Sequence, residues 1–149
     1  MIIRPAVAAD YDTMADLWFD SWISVGIAND TDLTREGVRE RFFRDAQHKW
    51  RLYAAVEDDA IVGMLALVPA ESRIDQIFVD PLHKGMGVGL DLLNFAKGAM
   101  PDRIVLTTHE GNRRARAFYE REGFRLVSTH YDDGQRRTKC EYEWRPGAP

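Results

Sequence analysis

Three glycines at alternate positions, in His83-Lys84-Gly85-Met86-Gly87-Val88-Gly89, separate a β-rich run at Arg73–Val79 from a helix-periodic segment. A strand that feeds a helix through such a turn leaves backbone N–H groups exposed at the positive end of the helix dipole, where a phosphate or diphosphate fits. Glycine matters there because a Cβ holds the anion off the backbone, and because some turn positions require φ > 0. Lys84 adds a point charge beside the turn. Two common phosphate loops do not match. A triphosphate loop ends in Gly-Lys-Ser/Thr, whereas this one ends Gly87-Val88-Gly89-Leu90. The dinucleotide pattern G-x-G-x-x-G needs a third glycine where Leu90 stands, and it normally opens on the first strand of its unit. A bare strand-to-helix turn is the bland alternative.

Around this loop the hydrophobic period changes repeatedly. Ile2–Val7 is β-rich, and Asp10 is a candidate N-cap for an amphipathic helix carrying Met14, Leu17, Trp18, Ser21, Trp22 and Val25. Thr34 can cap a second helix through Val38, Phe42 and Phe43 to about Ala46. Arg51–Val56 and Ile61–Val68 form a hairpin across the acidic turn Glu57-Asp58-Asp59, and Arg73–Val79 is the next strand. After the loop, Gly89, Leu92, Leu93, Ala96 and Met100 share a helix face, and Arg103–Thr108 is a strand. Asn112 caps a helix over Arg113–Arg121, which Gly123 ends. Strands near Phe124–His130 and Thr138–Trp144 flank an Asp132-Asp133-Gly134 turn. The order β-α-α-β-β-β-α-β-α-β-β predicts an α/β (α+β) fold: a mixed, mostly antiparallel sheet of six or seven strands flanked by about four helices.

Composition narrows the class. A chain of 149 residues, 45% hydrophobic and 30% charged, is ordinary for one globular domain over residues 1–149. The lone Cys140 excludes an intrachain disulfide and fits a reducing cytoplasm. The longest apolar stretch, Ala60–Ala70, is far short of a membrane span, and no secretory signal pattern opens the chain. These features lead to the expectation of a cytoplasmic protein with no membrane partner. The formal net charge of −4 argues against nonspecific nucleic-acid binding, which depends on phosphate neutralisation. The sequence is silent on oligomeric state, and a homodimer stays open.

The segment Lys84-Gly85-Met86-Gly87-Val88-Gly89 resembles the Q/R-x-x-G-x-G/A motif of the GNAT superfamily of N-acetyltransferases. Three further pieces stand in that superfamily's order: Ile74–Pro81 before the loop, Asn112 opening the next helix, and Ala117-Phe118-Tyr119-Glu120-Arg121-Glu122-Gly123-Phe124. The last is similar to A-x-x-[FL]-Y-E-[KR]-x-G-F. Lys84 departs from the usual Gln or Arg, keeping charge but losing bidentate geometry.

The resemblance implies that acetyl-CoA is the co-substrate, with no metal. Its pyrophosphate would be held by the backbone of Lys84, Gly85, Met86, Gly87, Val88 and Gly89, and its pantetheine arm by Phe78 and Val79 as an added strand. Asn112 would hydrogen-bond the arm. Arg113, Arg114 and Arg116 either assist the phosphates or form a solvated helix face. The reaction implied is attack of an amine on the thioester, with a small-molecule amine as the expected partner. A protein or peptide amine, or a non-catalytic acyl-CoA sensor, remains an alternative. Tyr119 matches the superfamily's general acid, and a core aromatic is its plain reading. A glutamate serves as base in some members, but Arg73 stands at the matching position. Asp75, two residues on, is the candidate base or substrate anchor, with a salt-bridged carboxylate as its plain reading, and His109 is a second candidate. The acceptor is expected near Trp22, in an aromatic region with Trp18, Phe19, Phe42, Phe43 and Trp50, where Asp20, Asp30 and Asp32 can attract an amine.

Overall fold

The computed structural model describes residues 1–25 and 34–147. Its elements run β1 (Ile2–Pro5), α1 (Tyr11–Val25), α2 (Arg35–His48), β2 (Arg51–Glu57), β3 (Ala60–Val68), β4 (Arg73–Val79), α3 (Val88–Ala99), β5 (Ile104–His109), α4 (Arg113–Arg121), β6 (Arg125–Asp132) and β7 (Arg137–Trp144). This is the element order the periodicity predicts. The seven strands form one sheet in the order β1-β2-β3-β4-β5-β7-β6, antiparallel throughout except where β4 meets β5.

Local signals explain most boundaries. Thr34 Oγ1 accepts from the Gly37 N–H at 3.0 Å and starts α2. Asp58 and Asp59 take φ of 49° and 65°, the two-residue turn whose twist suits a hairpin. Asp10 differs from expectation. It ends a 3₁₀ turn, and its carboxylate reaches back to the Val7 N–H at 2.9 Å while Arg4 grips it at 2.8 and 3.0 Å. That tie ends β1 at Pro5 rather than Val7.

From Met64 onward, alternation along β3 sorts the core into two layers, and Val62, the extra residue of a bulge against β2, joins the layer of Leu65 and Leu67. Val62, Leu65 and Leu67 pack with α3, Tyr119 and Tyr142, whereas Met64, Ala66 and Val68 pack with Met14, Trp18, Phe42 and Trp50. Helices α3 and α4 therefore cover one face and α1 and α2 the other. No described helix is long and apolar enough to cross a membrane.

One irregularity shapes the middle of the sheet. Ala66 lies opposite Gln76 and Leu67 opposite Ile74, which leaves Asp75 as the extra residue of a bulge in β4. A bulge bends and twists its strand. Strands β4 and β5 pair only at Arg73 opposite Val105, and beyond that point they diverge.

Candidate active site

The divergence leaves backbone groups of β4 without a strand partner. The Asp80 N–H donates to the Val62 oxygen at 2.8 Å, which makes Val62/Asp80 a bonded pair and, two residues back, Met64/Phe78 the next. The amide and carbonyl of Phe78 are thus engaged by β3, while those of Ile77 and Val79 face the gap beside β5. This refines the expected pairing. Phe78 lines the groove, and the backbone groups of Ile77 and Val79 are the ones turned toward it. The Val79 carbonyl accepts a hydrogen bond from Ser21 Oγ at 2.7 Å, which ties α1 to the open end of β4. Sequence alone points to neither Ile77 nor Ser21: the strand pairing decides which β4 groups face the gap, and Ser21 meets Val79 from 58 residues away.

The glycine turn closes one end of the gap. Gly85 and Gly87 both have φ of 85°, a left-handed conformation that disfavours any Cβ. The first helical bond of α3 runs from the Asp91 N–H to the Gly87 oxygen, so the N–H groups of Val88, Gly89 and Leu90 have no partner within the helix. Lys84, Gly85, Gly87 and Gly89 border the groove. The side chains of Met86 and Val88 do not: Met86 is 71% exposed and Val88 is packed in the core. Burial lowers the Lys84 pKa, and the Arg114 guanidinium lowers it further. Two cations held together beside orphan N–H groups are arranged for an anion.

Helix α4 supplies the opposite wall. Asn112 Oδ1 accepts from the Ala115 N–H at 3.2 Å, so its cap role uses the oxygen and leaves the amide NH2 as the donor for a ligand. Tyr119 borders the groove with its ring against Phe118, Phe124 and Tyr142. Burial pushes its phenol pKa up. Arg114 borders the groove; Arg116 does not, since its guanidinium is held by Tyr142 Oη and the Glu110 carbonyl, each at 3.1 Å.

The groove encloses about 1350 Å³ and touches both faces of the sheet. On the α1 face, Asp75 accepts from Trp50 Nε1 at 2.7 Å and pairs with Lys49 Nζ at 3.3 Å. Arg73, at the position matching the glutamate base of some superfamily members, is bound to Glu141 at 2.6 Å and to Thr107 Oγ1 at 3.1 Å. The Trp22 ring meets His109 at a tilt, with centroids 4.9 Å apart, and has the Arg137 guanidinium over it at 5.2 Å. The remaining aromatics divide. Trp18, Phe42 and Trp50 are buried core, while Phe19 and Phe43 lie under Arg35 and Arg39. Asp20 pairs with Arg35 at 2.9 Å, a role the sequence did not suggest. Asp30 and Asp32 lie outside the described residues.

The sequence profile of the Acetyltransferase (GNAT) family matches residues 11–124, the stretch that holds the bulged strand, the glycine turn and α4. The chain belongs to this family. Among curated relatives, the GNAT chain is 34% identical over 74 residues to the uncharacterized protein YxbD of Bacillus subtilis, covering 47% of this chain and 46% of that one. It is also 34% identical over 77 residues to the peptidyl-lysine N-acetyltransferase YjaB of Escherichia coli, covering 51% and 50%. The matched stretch spans about half the length of these curated relatives. The fold is similar to apo YjaB, with a TM-score of 0.79 at 23% identity over 99% of this chain and 100% of that one. It is similar also to the PaiA N-acetyltransferase of Thermoplasma acidophilum in complex with coenzyme A, with a TM-score of 0.74 at 19% identity over 97% and 98%.

Proposed function

We propose that this GNAT chain transfers an acetyl group from acetyl-CoA to a primary amine by direct attack on the thioester, with residues 1–149 acting as one domain. The observation that carries the reading is the gap between β4 and β5, bounded by a turn of orphan N–H groups at one end and by Tyr119 on its wall. The backbone of Lys84–Gly89, with Lys84 and Arg114, would hold the pyrophosphate. Ile77, Val79 and Asn112 would hold the pantetheine arm. Acetyl-CoA supplies the activated acyl carbon. A cytoplasmic setting belongs to this reading and is supported by the single buried Cys140.

In the reaction the amine nitrogen bonds to the acyl carbon, the carbon–sulfur bond breaks, and the sulfur leaves as a thiolate. An alkylamine of pKa ~10.4 requires about 4.6 kcal/mol to be deprotonated at pH 7. Asp75, exposed to the groove on the α1 face, draws in the cationic amine; the neutral amine attacks, and Asp75 takes the proton that its nitrogen loses as the carbon–nitrogen bond forms, while Lys49 and Trp50 hold the carboxylate in place. Asp75→Asn is expected to lower kcat/KM for the amine by about tenfold or more. A variant with native kcat/KM would reduce Asp75 to a salt-bridge partner. Tyr119 keeps its proton, since burial raises its pKa, and donates a hydrogen bond to the departing sulfur.

The acceptor is read as a small amine near Trp22. A lysine side chain in a peptide is the second reading, favoured by the likeness to YjaB. Thiol release measured with a panel of small amines and lysine peptides separates the two, and release with none of them makes the chain an acyl-CoA sensor. Acetyl-CoA at a hundredfold excess over Kd should stabilise the fold by about 2.7 kcal/mol, or roughly 5–10 °C in Tm. A larger shift from NADH or ATP would overturn the ligand assignment.

A further inference from the structure

We infer that Tyr142 is a positioning residue for Tyr119: its phenol clamps two turns of α4 and so sets where the Tyr119 hydroxyl points. The inference rests on the acetyltransferase reading above. Tyr142 lies on β7 with its ring fully buried, 6.2 Å from the Tyr119 ring. Its oxygen reaches α4, where it accepts from Arg116 Nε at 3.1 Å and donates to Glu120 Oε2 at 2.5 Å. Burial and the Glu120 carboxylate both raise the Tyr142 pKa, which keeps the phenol a donor at neutral pH.

The clamp matters because α4 otherwise meets the core only through the narrow apolar face of Ala115, Phe118 and Tyr119, and apolar contacts carry no directional preference of their own. The helix has nine residues, too few to be stable by itself, and three of its first four side chains are arginines. Arg116 and Glu120 are one turn apart and face β7 together, while Tyr119 lies about 100° around the helix from Glu120. A rotation of about 10° moves a phenol oxygen by more than about 1 Å, and a misplacement of that size costs on the order of 10²-fold in rate. The sequence places Glu120 beside Tyr119, but its partner on β7 is 22 residues away.

A double-mutant cycle tests this, with kcat, acetyl-CoA Kd and Tm measured for each protein. Tyr142→Phe is expected to lower kcat about tenfold with Kd unchanged, and to have less than about a twofold effect when Tyr119 is already Phe. Its Tm loss should be equal in both backgrounds, whereas a merely structural role would lower kcat equally in both. Glu120→Gln keeps an oxygen that accepts from the phenol and should retain kcat within about threefold; Glu120→Ala should reproduce Tyr142→Phe. If Tyr142→Phe does not fold, Glu120→Ala at an exposed position takes its place in the cycle. Native kcat in the clamp variants, or the same loss in both backgrounds, overturns the inference. Unaltered turnover in Tyr119→Phe alone refutes the sulfur-donor role itself, a separate result.

Discussion

Tyr119→Phe is expected to lower kcat about a hundredfold while the acetyl-CoA Kd stays within about twofold of the native value. The ring fills the same space against Phe118, Phe124 and Tyr142, so the core and the pyrophosphate turn are undisturbed. Only the hydroxyl is lost, the group that the proposed reaction uses as donor to the departing sulfur. A phenol of pKa ~10 giving its proton fully to a thiolate of pKa ~8.5 is uphill by roughly 2 kcal/mol. Burial of Tyr119 makes that transfer harder still and the hydrogen bond stronger, because the low dielectric magnifies it. Single-turnover measurement of thiol release checks the effect. Native turnover would make Tyr119 a core aromatic.

Gly87→Val should weaken acetyl-CoA binding by about ten- to hundredfold, the equivalent of one charge-assisted hydrogen bond lost at the pyrophosphate. No atom lies within 4 Å of the Cβ it would introduce, so the core is not overpacked. The effect comes from φ of 85°, which a β-branched residue adopts only with strain. Relaxing the backbone to a negative φ turns the N–H groups of Val88 and Gly89 away from the groove. Titration calorimetry with acetyl-CoA measures the loss, and native Kd in Gly87→Val would remove the pyrophosphate from this turn. Gly89 is a different case: its φ is helical, and an added Cβ would meet Val79 and Phe118 at ordinary contact distances.

Much of the site was legible in the chain because it is local. Strand β4 and helix α4 occupy the residues the period assigns to them, Arg73–Val79 and Arg113–Arg121, and Thr34 and Asn112 cap the helices they precede. Each depends on contacts within a few residues, so sequence spacing carries the information. Sequence spacing could not supply the partners that lie far along the chain. Asp75 is held by Lys49 and Trp50, Val79 by Ser21, and Arg116 by Tyr142. Arg116 is a clear instance: at helical spacing it is one of three neighbouring arginines, and only the approach of β7 takes it out of reach of a phosphate.

The amino-acid order alone therefore determined the succession of strands and helices, the glycine turn with its lysine, and Tyr119 on a short helix. All three follow from periodicity and backbone freedom over short spans. The parting of β4 from β5 was decided only by the folded chain, because a bulge at Asp75 is a mismatch between two strands and neither strand specifies it alone. That parting brings the glycine turn and a buried phenol, 30 residues apart or more in sequence, into the lining of one groove.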